Sequence, residues 1–353
     1  MDRSGSCASE RGIAPAILAT PLPDGSVRCD LCAHRCLIRP GRRGICGVRE
    51  NRSGALVTLV YGEAVAAELD PIEKKPLYHV LPGTTAYSIA TRGCSFHCRF
   101  CQNLAIAQAP RERVRTRSFQ LPPEDVVARA LALGARSIAY TYVEPTIFAE
   151  YVLDTARLAR PTGLLNLMIT NGYQTPEALD AFGPWIDAAN VDLKGFSDRF
   201  YRRVCGARLA PVLDALTGMR RRGIFVEVTT LLVPGENDDL GEIRELTAWL
   251  VRELGPDTPW HVSRFFPAHL MTDHPPTPLA TVVQAAGIGR TAGLRHVYLG
   301  NMWGEVVDFP DDTRCHLCGT TLIRRRGYTV AAERIVKGAC PTCRTPIAGI
   351  WAR

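Results

Sequence analysis

The sequence predicts an α/β protein built on a parallel sheet or barrel, and two observations lead to this fold class. Between residues 86 and 300, about seven short apolar runs alternate with helix-like segments of 10–15 residues. Such alternation is typical of βα units, in which each helix returns the chain to the start of a neighbouring parallel strand. Apolar residues also make up 46% of the 353 positions, which is enough for a large buried core.

Two cysteine-rich parts flank the predicted core. Residues 1–85 carry four clustered cysteines and a stretch rich in Gly and Arg, RPGRRGICGVREN. Residues 301–353 carry four more cysteines after a linker-like stretch at 301–314. We therefore expect an N-terminal metal-binding extension (1–85), an α/β core (86–300) and a C-terminal four-cysteine module (301–353).

Seven predicted strands follow one another through the core. They are the apolar and β-branched runs AYSIAT, SIAYTY, LLNLMIT, NVDLK, IFVEVTTLLV, WHVSRFF and HVYLG. The segments between them have helical spacing, as in PPEDVVARALAL, IFAEYVLDTARLA and LGEIRELTAWLVREL. Thr175 is a candidate cap of the TPEALDAF helix, and Gly223 ends the PVLDALTGMRRRG helix.

Polar side chains with chemical potential recur where the predicted strands end. A cysteine loop follows the first strand, Glu144 follows the second and Asn171 follows the third, while Asp192 and Lys194 end the fourth. In parallel α/β folds the carboxyl ends of the strands meet at one face, where functional residues lie. These residues are therefore expected to share a site.

Three cysteines lie within eight residues in the segment GCSFHCRFCQN. Cys94, Cys98 and Cys101 are spaced C-x3-C-x2-C on a loop, so all three thiolates can reach one centre. A 4Fe–4S cluster normally takes four thiolates, and three leave one iron open to a small ligand. The alternative interpretation is a zinc site with His97 as the fourth ligand.

The C-terminal cysteines form two C-x2-C pairs separated by 21 residues: Cys315, Cys318, Cys340 and Cys343. Two such pairs around a β-like stretch (TTLIRRRGYTV) predict a zinc ribbon with four thiolate ligands. A module with so little core depends on its metal to fold. Rubredoxin-like iron and an auxiliary cluster are the alternatives.

The N-terminal cysteines have a less specific spacing, C-x2-C-x3-C-x9-C: Cys29, Cys32, Cys36 and Cys46. Structural zinc is the first interpretation of this set. An auxiliary iron–sulfur cluster, which could pass electrons or bind substrate, is the second.

Cysteine usage and charge limit the other function classes. Eleven of the 13 cysteines fall into the three clusters, and only Cys7 and Cys205 stand apart. The N-terminus makes a poor signal peptide because Pro15 breaks its apolar stretch, and no run approaches the roughly 18 apolar residues of a membrane span. We therefore expect a cytoplasmic metalloprotein without membrane contact, in which C-x2-C pairs bind metal instead of forming disulfides.

The formal net charge of +7 is weak evidence for a nucleic-acid partner. Eleven metal-bound thiolates around three centres of about 2+ each would lower it to roughly +2. Two basic stretches, at 42–43 and 324–326, are interpreted as solvated surfaces. The functional alternative is that they contact phosphate or RNA.

Taken together, these strings resemble the radical SAM superfamily, and within it the pyruvate formate-lyase activating-enzyme group. More closely, the chain is similar to the radical SAM component of the AmmeMemoRadiSam system. The resemblance extends from about residue 29 to the C-terminus. It rests on GRRGICGVR, DPIEKKPLYHVLPG, GCSFHCRFCQN, YTYVEPTIFAEY, the TNGY and DLK strand ends, LLVPGEND, WHVSRFFP and the terminal four-cysteine module.

The resemblance implies a fold, a reaction and partners. The fold would be a partial (β/α)6 TIM-like barrel of radical SAM type. A 4Fe–4S cluster on Cys94, Cys98 and Cys101 would reductively cleave S-adenosylmethionine to a 5′-deoxyadenosyl radical, which abstracts hydrogen from a substrate. A flavodoxin- or ferredoxin-like protein would donate the electron, and Memo-like and AMMECR-type proteins would be partners.

The resemblance also assigns contacts with S-adenosylmethionine. Phe100 would lie against the adenine, and Glu144 would hold the methionine amino group through a charge-assisted hydrogen bond. Asn171 would reach the ribose or the carboxylate. Lys194 would pair with the methionine carboxylate, and Asp192 would orient the sulfonium end or a nearby cation.

The chain departs from the family pattern at two positions. Val143 stands where Asn is expected, and Phe266 stands where His is expected. Two other functions are also considered: a glycyl-radical enzyme activase, and a non-enzymatic zinc-rich module that binds RNA or protein.

Overall fold

The computed structural model describes residues 11–112, 116–302 and 311–351. Cys7 and residues 303–310 of the predicted linker lie outside the described residues. Across these ranges, no helix combines the length and the apolar character that crossing a bilayer requires.

The N-terminal part consists of short antiparallel strands. They are β1 (Ala14–Pro15), β2 (Ala19–Pro21), β3 (Val27–Cys29), β4 (Leu37–Ile38), β5 (Arg49–Arg52), β6 (Ala55–Thr58) and β7 (Glu63–Ala64). Two three-stranded sheets result, ordered β1-β6-β5 and β2-β3-β4. The sheets place the cysteine-bearing turns against the core, where a buried ion pair between Arg49 and Glu150 anchors them at 2.7 Å.

An eight-stranded sheet forms the centre of the molecule. Its strands are β8 (Ala66–Pro71), β9 (Thr85–Ala90), β11 (Ser137–Tyr140), β12 (Leu165–Thr170), β13 (Ala188–Asp192), β14 (Phe225–Leu232), β15 (Trp260–Arg264) and β16 (Val297–Gly300). The seven strands from β9 onward are parallel and adjacent in chain order, as in a partial barrel. A short β10 (Phe119–Gln120) pairs with β7 outside this sheet.

The predicted strands and helices of the core are confirmed, with ends that differ by one or two residues at most positions. The helices are α1 (Leu104–Ala107), α2 (Ala109–Glu112), α3 (Pro123–Ala132), α4 (Ala149–Ala159), α5 (Pro176–Phe182), α6 (Asp198–Phe200), α7 (Leu209–Arg221), α8 (Leu240–Trp249) and α9 (Leu279–Thr291). Thr175 caps α5 by accepting a hydrogen bond from the Ala178 N–H at 3.1 Å. Gly223, with φ of +78°, follows α7 where a left-handed residue is required.

One strand of the sheet comes from the predicted N-terminal extension. β8 pairs antiparallel with β9 from Ala66 to Pro71 and forms an edge of the sheet. The chain therefore enters the barrel before the boundary at residue 86 that composition suggests, and the segment after β8 reaches the site.

The C-terminal part forms a three-stranded sheet, β17 (Thr313–Arg314), β18 (Thr321–Arg326) and β19 (Thr329–Glu333), ordered β17-β18-β19. It docks on the segment at 72–83, where the Ile350 N–H donates to the His79 carbonyl at 2.7 Å. Arg325 is only 4% exposed, and it donates to the Tyr78 carbonyl at 2.6 Å. For Arg325, contact with phosphate or RNA, which was the alternative interpretation of the basic stretch 324–326, is therefore wrong. Its guanidinium points into the protein.

Candidate functional site

A cavity of about 610 Å³ opens at the carboxyl ends of the parallel strands. All eight residues that the sequence placed in the central site line it: Cys94, Phe100, Cys98, Cys101, Glu144, Asn171, Asp192 and Lys194. These side chains therefore lie around one cavity, because parallel strands bring their carboxyl ends to one face, and their contacts with a cofactor stay predictions.

The cysteine loop between β9 and α1 is held from two sides. Its backbone N–H groups at His97 and Arg99 donate to the carbonyls of Cys205 and Val204, both at 2.9 Å. At Gly93 the chain has φ of +99°, and a Cβ there would lie 2.8 Å from the Cys46 carbonyl oxygen. Only glycine fits this position, so the N-terminal part and the loop pack directly together.

The thiols of the central cysteines are held in surroundings that disfavour a bare thiolate. Burial raises the pKa of Cys94 and of Cys101. For Cys98, a hydrogen bond with the Cys205 thiol raises the pKa most, and burial adds to it. A buried thiol becomes a thiolate when a metal binds it, so this set fits an iron–sulfur cluster.

Cys205 stands apart from the three cysteine clusters in the sequence, but the fold places it beside the central one. It is buried in the π-helical turn Tyr201–Cys205, and its thiol contacts Cys98. Hydrogen bonds to ligand sulfurs are among the factors that set the potential of a cluster. Spacing could not reveal this neighbour because 107 positions of sequence separate the two cysteines.

Glu144 is a buried carboxylate that accepts several hydrogen bonds. It is 2% exposed, and its oxygens accept from the N–H of Thr146 at 3.0 Å, the hydroxyl of Thr170 at 2.8 Å and the N–H of Asn171 at 2.7 Å. Within the described part of the chain, no basic side chain pairs with it. Burial raises its pKa, although these hydrogen bonds oppose the change. An ammonium group in the cavity would supply the missing charge.

Asn171 lines the cavity, but its amide is already engaged. Its Nδ2 donates to the Ser95 hydroxyl at 3.0 Å, and its Oδ1 accepts from the Tyr173 N–H at 3.0 Å. The side chain therefore ties the end of β12 to the cysteine loop. A ligand contact from the Asn171 side chain stays a prediction.

Lys194 and Asp192 form an ion pair at the end of β13, with Nζ 2.9 Å from Oδ2. Burial disfavours the Lys194 ammonium, but the Asp192 carboxylate and the neighbouring thiols outweigh it, so the pKa of Lys194 is raised. Its Nζ also lies 5.6 Å from the centroid of the Phe100 ring. Phe100 stacks on Phe200 and lines the cavity, so an aromatic face and a fixed cation lie side by side.

The two departures from the family pattern have different surroundings. Val143 lines the cavity as a buried apolar residue, so the wall is apolar at the position where the amide of an Asn was expected. The guanidinium carbon of Arg264 lies 5.4 Å from the centroid of the Phe266 ring. Phe266 is not among the described residues that line the cavity.

A second polar group on the cavity wall was missed by the sequence analysis. Lys75 is 2% exposed on its side chain, and its Nζ lies 2.5 Å from Asp70 Oδ2. Lys74 donates to the other oxygen of Asp70 at 2.7 Å, and the Tyr142 hydroxyl also donates to this carboxylate. The only signal was the string DPIEKKPLYHVLPG, which carried the family resemblance without a role for its charges.

Lys75 is expected to lose its proton near pH 8. Burial lowers the pKa of this ammonium from 10.5 to about 8, and Asp70 opposes the change. Because the folded pKa lies below the unfolded one, the unfolded chain binds more protons between pH 8 and 10.5, so this group makes the fold more stable as the pH rises through that window. The titration is measured from the ¹³Cε shifts of isotopically labelled lysine.

Three variants assign and test this titration. Lys75→Met removes the resonance that moves near pH 8, and Lys74→Met, which changes the exposed partner of the same carboxylate, leaves it in place. Asp70→Asn is expected to lower the pKa further. A Lys75 resonance that stays fixed up to pH 10 contradicts the buried site.

The C-terminal module reaches the same cavity. Tyr328, in the turn between β18 and β19, lines it beside Lys74 and Lys75. The cavity wall therefore combines the β8 segment, the barrel and the hairpin of the C-terminal module.

The C-terminal cysteines converge on one point. The sulfurs of Cys315 and Cys343 are 3.5 Å apart, those of Cys318 and Cys340 are 3.6 Å apart, and all four lie within 4.8 Å of one another. Four thiolates around one zinc ion lie about 3.8 Å apart, given Zn–S bonds of about 2.3 Å. The geometry therefore suits a single tetrahedral ion.

The N-terminal cysteines are gathered more loosely. Burial raises the pKa of Cys32 well above its usual value, and the nearby thiols of Cys46, Cys29 and Cys36 raise it further. In the part of the chain that the structure describes, two sets of side chains bring three or more ligand atoms within 4.8 Å of one another, and neither contains these cysteines. Neither set contains Cys94, Cys98 or Cys101 either.

Sequence comparison identifies the class of protein that this site belongs to. The profile of the Radical SAM superfamily matches residues 88–247, which include the cysteine loop and the strand ends from β9 to β14. The chain belongs to the radical SAM superfamily, whose enzymes use a 4Fe–4S cluster and S-adenosylmethionine for radical chemistry. A non-enzymatic binding module is therefore not supported.

One relative matches nearly the whole chain. The uncharacterized protein MJ0808 of Methanocaldococcus jannaschii is 42% identical over 310 residues, which is 88% of this chain and 91% of the relative. The GTP 3′,8-cyclase of Pseudomonas putida is 30% identical over 171 residues, and the chain spans about half the length of that enzyme, 49%. A solved radical SAM methyltransferase from Sphaerobacter thermophilus is 18% identical, covering 62% of this chain and 66% of its own, with a TM-score of 0.49.

Proposed function

We propose that this protein reductively cleaves S-adenosylmethionine in the 610 Å³ cavity and uses the resulting 5′-deoxyadenosyl radical to abstract hydrogen from a second molecule bound there. One observation carries the proposal: three cysteines and the buried carboxylate of Glu144 line one cavity. When bound, a 4Fe–4S cluster and S-adenosylmethionine supply the radical chemistry.

Each wall of the cavity has a separate role in this proposal. Cys94, Cys98 and Cys101 hold the cluster. Glu144 accepts hydrogen bonds from the amino group of the methionine moiety, which provides the cation that this buried carboxylate lacks. Lys194 faces the carboxylate of the same moiety, and Asp192 keeps the Lys194 ammonium in position and charged.

The nucleobase is expected on the aromatic side of the site. Phe100 lies beside the Lys194 ammonium and is backed by Phe200, which keeps the Phe100 ring in one orientation. A flat ring packed against Phe100 is kept away from water, and the buried, apolar Val143 adds to the same dry surface.

The remaining wall favours a substrate with an acidic group. Lys74 and Lys75 share one carboxylate, that of Asp70, so this wall has about one excess positive charge at pH 7. Tyr328 adds an amphipathic side chain at the same place. The substrate would be oriented by this wall while its reacting carbon faces the cysteine loop.

The proposed partners follow from the sequence resemblance to the AmmeMemoRadiSam system. They are Memo-like and AMMECR-type proteins, together with a flavodoxin- or ferredoxin-like electron donor. Co-purification of the tagged chain with these proteins from one organism is the direct assay of this part of the proposal.

The outer cysteine sets are proposed to hold different centres. The four close sulfurs of the C-terminal module suit one zinc ion. The wider N-terminal set suits an auxiliary cluster better, because each thiolate of a cube binds a different iron and the ligands stand further apart than around one ion. Metal analysis after anaerobic reconstitution is then expected to give about eight iron atoms per chain and zinc in the C-terminal module.

The proposed reaction is tested with anaerobically reconstituted protein, dithionite and S-adenosylmethionine, with 5′-deoxyadenosine measured by mass spectrometry. Formation of 5′-deoxyadenosine that depends on both iron and reductant supports the proposal. The proposal is contradicted if the protein shows cluster absorbance and binds S-adenosylmethionine, yet forms no 5′-deoxyadenosine with any reductant.

Glu144→Gln is expected to raise the KM for S-adenosylmethionine by about 10- to 100-fold, because a hydrogen bond to a charged group contributes roughly 1.5–3 kcal/mol. The amide keeps the shape of the side chain but loses the charge that pairs with the ammonium. Initial rates of 5′-deoxyadenosine formation at varied S-adenosylmethionine measure the change.

The matched control for Glu144 is Glu242→Gln. Glu242 is also a partly buried carboxylate whose pKa burial raises, and it accepts from the Phe196 N–H at 2.6 Å, outside the cavity lining. Its variant should keep the wild-type KM. An unchanged KM in Glu144→Gln, with the cluster intact, removes Glu144 from the proposed contact.

Activation of a glycyl-radical enzyme is the second candidate function. It is favoured by the match to an isethionate sulfite-lyase activating enzyme of Nitratidesulfovibrio vulgaris, 26% identical over 166 residues and 54% of that enzyme. Electron paramagnetic resonance of a mixture with a candidate glycyl-radical partner decides, because an activase generates a backbone glycyl doublet in the partner.

A further inference from the structure

A cluster of metal-ligating side chains lies at the end of the barrel away from the cavity. Asp257 precedes β15, and His296 directly precedes β16, so both lie at the amino ends of their strands. His316 lies between two cysteines of the C-terminal module, Cys315 and Cys318. The cluster therefore sits at the joint between the barrel and this module.

The three side chains face one another closely. One ligand atom from each of Asp257, His296 and His316 lies within 4.8 Å of the other two. The two imidazole rings meet edge to face, with centroids 6.1 Å apart. This is the spread of ligand atoms that a single ion can draw together with small side-chain movements.

The imidazole nitrogens of this cluster are not satisfied by the protein. His296 is 3% exposed, and its Nε2 is buried without a hydrogen-bond partner among the described residues. Nδ1 of His316 is buried in the same condition. A buried nitrogen without a partner has lost its hydrogen bond to water and gained none in return, so two such atoms at one point indicate a ligand.

The neighbouring side chains hold the three candidate ligands in position. Arg295 donates to both carboxylate oxygens of Asp257 at 2.8 Å and fixes their orientation. Ligating carboxylates are commonly held by such an outer partner. The His79 ring packs edge to face on His296, with ring centroids 4.4 Å apart, but both nitrogens of His79 are engaged, with the Ala348 carbonyl and the Tyr298 hydroxyl at 2.7 Å. His79 therefore shapes the pocket and does not compete for the ion.

We propose that Asp257, His296 and His316 bind a zinc ion, separate from the four-cysteine site. Two imidazoles and one carboxylate are a ligand set that zinc accepts, with water in the fourth position. The ion would join two strand ends of the barrel to the C-terminal module, because its ligands come from both. This inference goes beyond the proposed reaction and does not depend on it.

The site would have a mechanical consequence. The module that carries His316 also carries Tyr328, which lines the cavity. A metal that fastens the module to the barrel would therefore help to hold the Tyr328 hairpin against the cavity.

The test is zinc and iron analysis of the full chain after exhaustive dialysis, compared among variants. His296→Asn and Asp257→Asn are each expected to contain one zinc per chain fewer than the wild type, with unchanged iron. Both positions lie outside the cysteine module, so the lost ion is not attributable to a broken C-x2-C pair. His274→Asn, which changes a histidine paired with Asp273, should keep the wild-type count.

Diffraction at the zinc absorption edge gives a second measurement that does not depend on a folded variant. Crystals of the wild type are expected to show two anomalous peaks near the C-terminal module, one among the cysteines and one between His296 and His316. A single peak among the cysteines, or equal zinc in the wild type and in Asp257→Asn, overturns the proposal. Neither result bears on 5′-deoxyadenosine formation, so the two proposals fail separately.

Discussion

Cys98→Ala is expected to strip iron from the central site and to lower 5′-deoxyadenosine formation by more than about 100-fold. The cluster has three protein ligands in this proposal, so removing one leaves two thiolates and a cavity where the third sulfur stood. Cys98 is also the buried member that contacts Cys205 and adjoins Lys194. Iron per chain, absorbance near 400 nm and product formation measure the effect together.

The chain provides a matched control at Cys205. This cysteine is also buried and contacts Cys98, but it lies outside the C-x3-C-x2-C segment. Cys205→Ala is expected to keep its iron and to shift the reduction potential of the cluster, because one hydrogen bond to a ligand sulfur is lost. Full iron and activity in Cys98→Ala, or an equal loss of iron in Cys205→Ala, would show that the ligands are assigned wrongly.

The second large effect is expected from Arg325→Met, which should lower the free energy of unfolding of the C-terminal module by about 3–5 kcal/mol. Arg325 Nε lies 3.6 Å from Glu73 Oε1, and neither side chain is exposed. Removing the guanidinium leaves the Glu73 carboxylate buried without its cation, and burial already raises the pKa of Glu73. Urea-induced zinc release, followed with a chromogenic chelator, reports on the module itself.

Three further variants separate charge from packing at Arg325. Arg324→Met and Arg326→Met change exposed neighbours on the same strand and should have little effect. The double variant Arg325→Met with Glu73→Gln should recover part of the loss, because no buried charge then stays unpaired. If all three arginine variants release zinc at the same urea concentration, the buried pair does not hold the module.

Much of the barrel and of its cofactor side was predictable because the relevant signals are local. The parallel strands are largely apolar runs with polar residues at or just after several of their carboxyl ends, and the parallel topology brings those ends together. Cys94, Glu144 and Lys194 were therefore placed on one face from their positions in sequence alone. The four C-terminal cysteines were also expected to come together, because two C-x2-C pairs around a β-like stretch are typical of one metal site, and their sulfurs lie within 4.8 Å of one another.

What the sequence did not reveal depends on contacts between distant residues. The Tyr142 hydroxyl meets Asp70 across 72 positions, and the Arg325 guanidinium meets the Tyr78 carbonyl across 247. The residues around 74 look like an ordinary charged turn, and the stretch 324–326 looks like a solvated basic face. In both segments a charged side chain that the sequence suggests is solvated is instead buried and paired inside the protein. Burial depends on packing between distant residues, which the spacing of residues in the sequence does not show.

The hairpin that carries Tyr328 has a consequence for how the protein is made. Among the residues that the structure describes, every other one that lines the cavity lies at position 301 or earlier, so Tyr328 is synthesised after the rest of this lining. Until then the cavity lacks the Tyr328 side chain beside Lys74 and Lys75. The lining is therefore completed only after the barrel has been synthesised, and the order of residues in the chain alone sets this sequence of events.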